Sequence, residues 1–254
     1  MDHPRTNSLF KRLRPETLRA IASDLRNAPL TQEQILAKPF ERVRAVYFPL
    51  TALVTFAIDL SRGETAETIM VGRDGVIGAD EAIQEVLAFS RATVIVPGTA
   101  LSISADRLRE LHSKYNDLQH VLAEHRSFFV AQCQQMAACN SVHHIDARFC
   151  RWLLQARDLL GDTFHMTQEK VAQVLGVQRA SISLAAQSLQ REGLVQHKRG
   201  TIVITDASGL QARSCECYTT LKRYKRATIG NIEQNEGTDL EYWHVPGVIP
   251  VDPL

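Results

Sequence analysis

Long apolar runs are missing from this chain of 254 residues. No stretch approaches the roughly 18 apolar residues that a membrane-spanning helix needs, so no membrane partner is expected. The opening MDHPRTNSLFKRLRPE holds no apolar core of signal-peptide length. Cysteine is scarce, odd in number and unevenly spaced: Cys133, Cys139, Cys150, Cys215 and Cys217. A disulfide framework is therefore not expected, and a cytoplasmic location is. Nucleotide-cradling glycine loops are absent, and no Ser/His/Asp set occupies a nucleophile elbow, so an enzyme is not expected. Charge of one sign is not in surplus either, with 29 Lys+Arg against 28 Asp+Glu. That balance conceals an asymmetry. Residues 143–226 carry 13 basic and 7 acidic side chains, while the rest of the chain carries 16 and 21. A basic segment in an otherwise mildly acidic chain points to a polyanion partner for that segment alone.

What is present is ordinary for a globular protein: 44% hydrophobic and 22% charged residues, enough for one large domain or two smaller ones. Three textures follow one another. Residues 7–27 read as a short amphipathic helix or helix pair through Leu9, Leu13, Leu18, Ile21 and Leu25. From about 30 to 105, short apolar runs (AVYFPL, ALVTFAI, ETIMV, ATVIV, ALSI) alternate with turns at Pro49, Ser61-Arg62-Gly63, Gly72-Arg73-Asp74-Gly75 and Pro97-Gly98. That pattern predicts a compact β-sandwich or barrel, interrupted by a helical piece over 79–89. A short helix capped by Ser104 follows, and then a long helix over about 115–141. Its residues Leu118, Leu122, His125, Phe129, Gln132, Met136 and Cys139 step alternately by four and three. This is the seam a paired helix needs, and equally the stripe of a single core-facing helix. A further helix over 143–160 stops at Gly161-Asp162. After 226 the chain has five acids and no Lys or Arg, and reads as a loosely docked extension.

The most informative stretch is TQEKVAQVLGVQRASISLAAQSLQREGLV, residues 167–195. Thr167 is a good N-cap, and Val171, Val174 and Leu175 make one apolar stripe. Gly176 sits where a tight turn needs positive φ. A second helix opens at Gln178, with Ile182, Ala185, Ala186 and Leu189 as its buried side. Helix, glycine turn, helix is the helix-turn-helix pattern, whose second helix can enter the major groove of DNA. Gln178, Arg179, Ser181 and Ser183 stand at the groove-reading end, and Arg179 can pair bidentately with guanine. Thr167 and Gln168 can meet a phosphate at the first helix N-terminus. The following LVQHKRGTIVIT reads as a β-hairpin with Lys198 and Arg199 at its tip, a wing aimed at the DNA backbone.

These segments resemble the Crp/Fnr family of bacterial transcription regulators. The likeness is carried by MTQEKVAQVLGVQRASISLAAQSLQREGLV and RGTIVITDASGL, with HIDARFCRWLLQARD before them. AVYFPLTALVTF, MVGRDGVIG and CECY at 215–218 are similar to one branch of the family. The resemblance implies an α+β fold. In it a cyclic-nucleotide-binding-like sensory β-roll (1–112) is followed by a dimerisation helix (113–142) and a winged helix-turn-helix (143–212), then a terminal helix and tail (213–254). It further implies a homodimer on a palindromic operator of double-stranded DNA, with RNA polymerase as partner. Relatives that read a TGTGA-like half-site carry Arg-Glu at the reader start and a second Arg four residues after the Glu. Here those positions are Arg179, Ala180 and Leu184, so a different half-site is expected, with Leu184 suited to a thymine methyl. Ala180 and Leu184 also favour the alternative reading, a ligand-sensing protein-interaction module with a degenerate DNA reader. In the sensor, the Glu and Arg of the family's cyclic-nucleotide motif are displaced to Glu81 and Arg91, which argues against a cyclic nucleotide. No cysteine precedes Cys133, which argues against an iron–sulfur cluster, and no haem ligand is identifiable. The cofactor thus stays unknown. Cys139 with His143, and Cys215 with Cys217, are taken as buried or interface side chains; no metal site is expected.

Overall fold

The computed structural model describes residues 7–61 and 65–229. The expected turn at Arg62 and Gly63 and most of the acidic extension lie outside the described residues. After a single turn at Phe10–Arg12 come α1 (Pro15–Ala22), β1 (Arg26–Leu30), β2 (Ile35–Ala37), β3 (Ala45–Pro49), β4 (Leu53–Asp59), β5 (Thr65–Val71), α2 (Ala79–Gln84), β6 (Arg91–Val96) and β7 (Gly98–Ser104). The strands form two antiparallel sheets, ordered β1-β7-β3 and β2-β6-β4-β5. Sequential strands are often not neighbours, which is how a roll closes over one core. Val54, Phe56, Ile69, Val71, Ala92 and Val94 fill its inside.

The helical piece is shorter than the apolar pattern over 79–89 predicts. Glu85 adopts φ 56°, which breaks α2. Leu87 then bridges Arg42, and Ala88 exchanges backbone hydrogen bonds with Phe40 and Glu41. The apolar residues after Glu85 therefore hold an adjoining loop rather than a helix.

Ser104 caps α3 (Ala105–Lys114) by accepting from the Arg107 amide. The long helix α4 (Asn116–Val142) follows directly. Its four-and-three stripe is turned onto its own chain, not outward toward a second helix. Leu118 and Leu122 pack with Phe10, Ile21 and Leu25. His125 is buried against the turn after β5, Phe129 meets Phe56 edge-on at 5.0 Å, and Met136 and Cys139 join the roll's core. Gln132 is half-buried beside Met136. Periodicity marks an apolar stripe but not what covers it; here the roll and the last helix do. The face left open carries Ala123, Ser127, Val130, Gln134, Ala137 and Ser141, again stepping by four and three.

His143 and His144 are extended and separate α4 from α5 (Ile145–Leu160), which ends at Gly161 with φ 95°. The remaining elements are β8 (Thr163–His165), α6 (Gln168–Leu175), α7 (Arg179–Arg191), β9 (Val195–Lys198), β10 (Thr201–Ile204), α8 (Ala207–Arg213) and α9 (Cys217–Ile229). β8, unmarked in the sequence by its short length, adds a third strand to the wing in the order β8-β10-β9. One apolar cluster joins Leu53, Met70 and Ile95 of the roll to Trp152, Val171 and Ile182. The two halves thus share a core. The turn Gly72–Gly75 is a further meeting point. Leu159 packs on Gly72, Arg73 donates to the Asp158 carbonyl at 3.2 Å, and Asp74 pairs with Lys225 of α9.

Candidate nucleic-acid interface

The helix pair is built by local rules. Thr167 Oγ1 accepts from the Lys170 amide at 3.2 Å and opens α6. Gly176 turns the chain with φ 64°, a left-handed conformation that glycine adopts without steric cost. Ile182, Ala185, Ala186 and Leu189 bury one side of α7. The opposite side is open: Gln178, Arg179, Ala180 and Leu184 are exposed, and Ser181 and Ser183 are half-buried. Leu184 keeps 68% of its surface, a high value for a leucine, with no cover among the described residues. Gln187, not singled out in the sequence reading, stands on the same outward stripe three residues beyond Leu184. The i, i+3 spacing was the signal for it.

The sequence-selected residues do not all act alone. Gln168 and Ser183 pair with each other, Ser183 Oγ donating to Gln168 Oε1 at 2.7 Å. That bond ties the first helix to the second, so Gln168 is engaged before any phosphate arrives. Thr167 stays exposed at the N-terminus of α6. The wing turn runs through Arg199 (φ 50°) and Gly200 (φ 79°) between paired Lys198 and Thr201. Two consecutive positive φ angles give the hairpin type whose twist matches its strands. Lys198 and Arg199 are exposed. Among the described residues their side chains, like that of Arg179, make no hydrogen bond or ion pair. By contrast Lys170 is held by Glu33 of the roll at 3.1 Å, and Arg213 by Glu192. Unpaired cations on a projecting hairpin, beside a polar helix end, make a surface for a polyanion.

Residues 147–213 match the family model of the Crp-like helix-turn-helix domain. That match, together with the shared fold of Crp/Fnr regulators, supports a transcription regulator of the Crp/Fnr type. With a Crp-like helix-turn-helix domain it is a DNA-binding transcription regulator, and the reading with a degenerate reader is not favoured. Solved structures share the fold at low identity. FixK2 from Bradyrhizobium japonicum is 14% identical with a TM-score of 0.66, over 75% of this chain and 98% of that one. A Crp-family transcriptional regulator from Thermus thermophilus is 18% identical with a TM-score of 0.61, over 74% and 96%. The c-di-GMP-responsive global regulator CLP of Xanthomonas campestris is 13% identical with a TM-score of 0.61, over 75% and 99%. No curated protein sequence matches the chain. Among the described residues no helix is long and apolar enough to cross a membrane.

Arg91, one of the two displaced sensor residues, is otherwise employed. Arg91 forms a two-pronged pair with Asp59, at 3.1 and 2.7 Å, on the rim of the roll. A guanidinium so held is not a free phosphate clamp. A polar cleft lies elsewhere, where β4, β5, α4, α5 and α6 meet, lined among others by Thr55, Glu67, Gln132, Arg148, Arg151 and Trp152. Thr55 Oγ1, Glu67 Oε2, Arg148 Nε, Arg151 Nε and Trp152 Nε1 are buried there without hydrogen-bond partners. Burial holds the Glu67 carboxyl above the usual carboxylate range. At the α4–α5 joint, Cys139, His143, Cys215 and Cys217 converge, four side chains that the sequence reading kept as separate pairs.

Proposed function

We propose that this regulator acts in the cytoplasm as a homodimer. It would read an inverted-repeat operator by laying α7 of each copy in successive major grooves, about 34 Å apart. The observation that carries this reading is the open face of α7 beside the cationic wing. Arg179 and Leu184 are the residues that discriminate bases, with Gln178, Ala180, Ser181 and Ser183 beside them. Thr167, Lys198 and Arg199 hold the backbone, with Gln168 seated against α7. The second copy is assigned to the outward face of α4, from Ala123 to Ser141, because the chain itself occupies the other face. The output is regulation of transcription through RNA polymerase, not catalysis.

The signal is assigned to the cleft between roll and reader. The unpaired Nε atoms of its two arginines and the Glu67 carboxyl suit a small polar molecule, and any molecule that binds better in one arrangement of the two halves will shift the equilibrium between them. A thermal-shift screen of polar metabolites against wild-type protein and Arg151→Leu tests this. A stabilising compound that acts equally on both proteins would place the signal elsewhere.

The operator reading is tested by selecting bound duplexes from a random pool. An inverted repeat with half-sites one helical turn apart is expected. Arg179→Ala should then lose about 1–3 kcal/mol at one base position per half-site and nothing at the others. Equal losses on every sequence would refute base recognition by Arg179.

A further inference from the structure

We propose that Cys139, His143, Cys215 and Cys217 form a Cys3His site for a zinc-type divalent cation that clamps the joint between α4 and α5. The four ligand atoms lie within 4.8 Å of one another. Cys139 Sγ and Cys215 Sγ are 3.6 Å apart, and Cys217 Sγ and His143 Nδ1 are 3.5 Å apart. A tetrahedral zinc with metal–sulfur bonds of about 2.3 Å and a metal–nitrogen bond of about 2.0 Å sets its ligands roughly 3.5–3.8 Å apart. Two of these separations already match, and a small inward motion of the other pairs completes the tetrahedron. The three thiols are buried.

The surroundings fit the same chemistry. His143 turns Nδ1 toward the thiols, while Nε2 lies 3.2 Å from Glu216 Oε1. A carboxylate that accepts from the far ring nitrogen orients a metal-bound histidine and raises its basicity. Gln135 Nε2 donates to Cys217 Sγ at 3.1 Å. Three thiolates and a neutral imidazole around a dication leave one negative charge. Arg148 and Arg151 stand close enough to act on these thiols electrostatically, and the Nε of each is buried without a partner. Loading exchanges the thiol protons for the ion and releases them to solvent, with no change of oxidation state.

Position gives the site its consequence. Cys139 and His143 close the C-terminal end of the long helix, and Cys215 and Cys217 straddle the start of α9. The ion therefore ties the last helix to the joint from which the DNA-reading half departs. Zinc occupancy would fix the angle of that half.

The experiment uses the full chain purified under reductant. Elemental analysis should find about one zinc per chain. Chelator-stripped protein titrated with cobalt(II) should develop tetrahedral visible bands and thiolate-to-cobalt charge-transfer bands, saturating at about one ion per chain. Cys133→Ser, outside the cluster, should retain both signatures, and Cys215→Ser should lose both. Should Cys215→Ser unfold, the wild-type titration decides alone, with zinc raising the melting temperature of the stripped protein. Reduced, folded wild-type protein that holds no zinc and yields no tetrahedral cobalt spectrum overturns the proposal. A Cys139–Cys215 disulfide in metal-free protein isolated without oxidant overturns it too, in favour of a redox pair.

Discussion

Neutralising the wing offers the most quantitative test of how this regulator holds DNA. The perturbation is the pair Lys198→Gln and Arg199→Asn. Asparagine is chosen because position 199 has φ 50°, which asparagine tolerates better than alanine. Both cations are exposed and make no ion pair within the described residues, so their loss disturbs no folded contact there. If each meets one phosphate, a dimer loses four phosphate contacts. The slope of log K against log salt should then become shallower by about 3.6, at about 0.9 per phosphate. Raising salt from about 50 to about 200 mM would cost wild-type protein about 150-fold more affinity than the double variant. A single reader on DNA would change the slope by only about 1.8, or roughly 12-fold over the same range. Fluorescence anisotropy with one labelled operator at several salt concentrations supplies the slopes, and circular dichroism confirms that the variant is folded. An unchanged slope would refute phosphate contact by the wing. A change of about half the expected size, shared equally by the two single variants, would refute the paired reader.

Two further predictions concern stability. Burial pushes the His125 imidazole down to about 4 against an opposing upward pull from Asp74, with nearby Lys225 lowering it further, and the neutral Nε2 lies 3.3 Å from the Val76 amide that donates to it. Below the ordinary histidine pKa near 6.5 the unfolded chain takes up a proton that the folded chain refuses. Stability should therefore fall between about pH 6.5 and about pH 4, by about 3 kcal/mol in all. Urea denaturation midpoints of wild-type and His125→Gln protein across that range should converge toward low pH, and parallel curves would contradict the assignment. At the wing, Gly200→Ala places a Cβ 2.7 Å from His165 Cε1 at a φ of +79°. It should destabilise by about 1 kcal/mol or more, and an unaltered melting temperature would show that the turn relaxes freely.

Local chemistry made the reader legible in sequence. Thr167 caps, Gly176 turns, and the spacing of Ile182, Ala185, Ala186 and Leu189 buries one side of α7, all through interactions a few residues apart. The basic surplus of residues 143–226 and the strand-and-turn texture of the roll belong to the same class of signal. Other features depend on what packs against what, and no local pattern carries that. The four-and-three stripe of α4 was visible as a stripe, yet only the folded chain decides that its own roll and α9 cover it, leaving the opposite face exposed. The cysteines show the same limit. Cys-Glu-Cys drawn as a helix sends its thiols to different sides, but residues 215 and 216 lie before α9 begins, so both thiols can reach one point. His143 stands 72 residues before Cys215, and packing alone closes that gap.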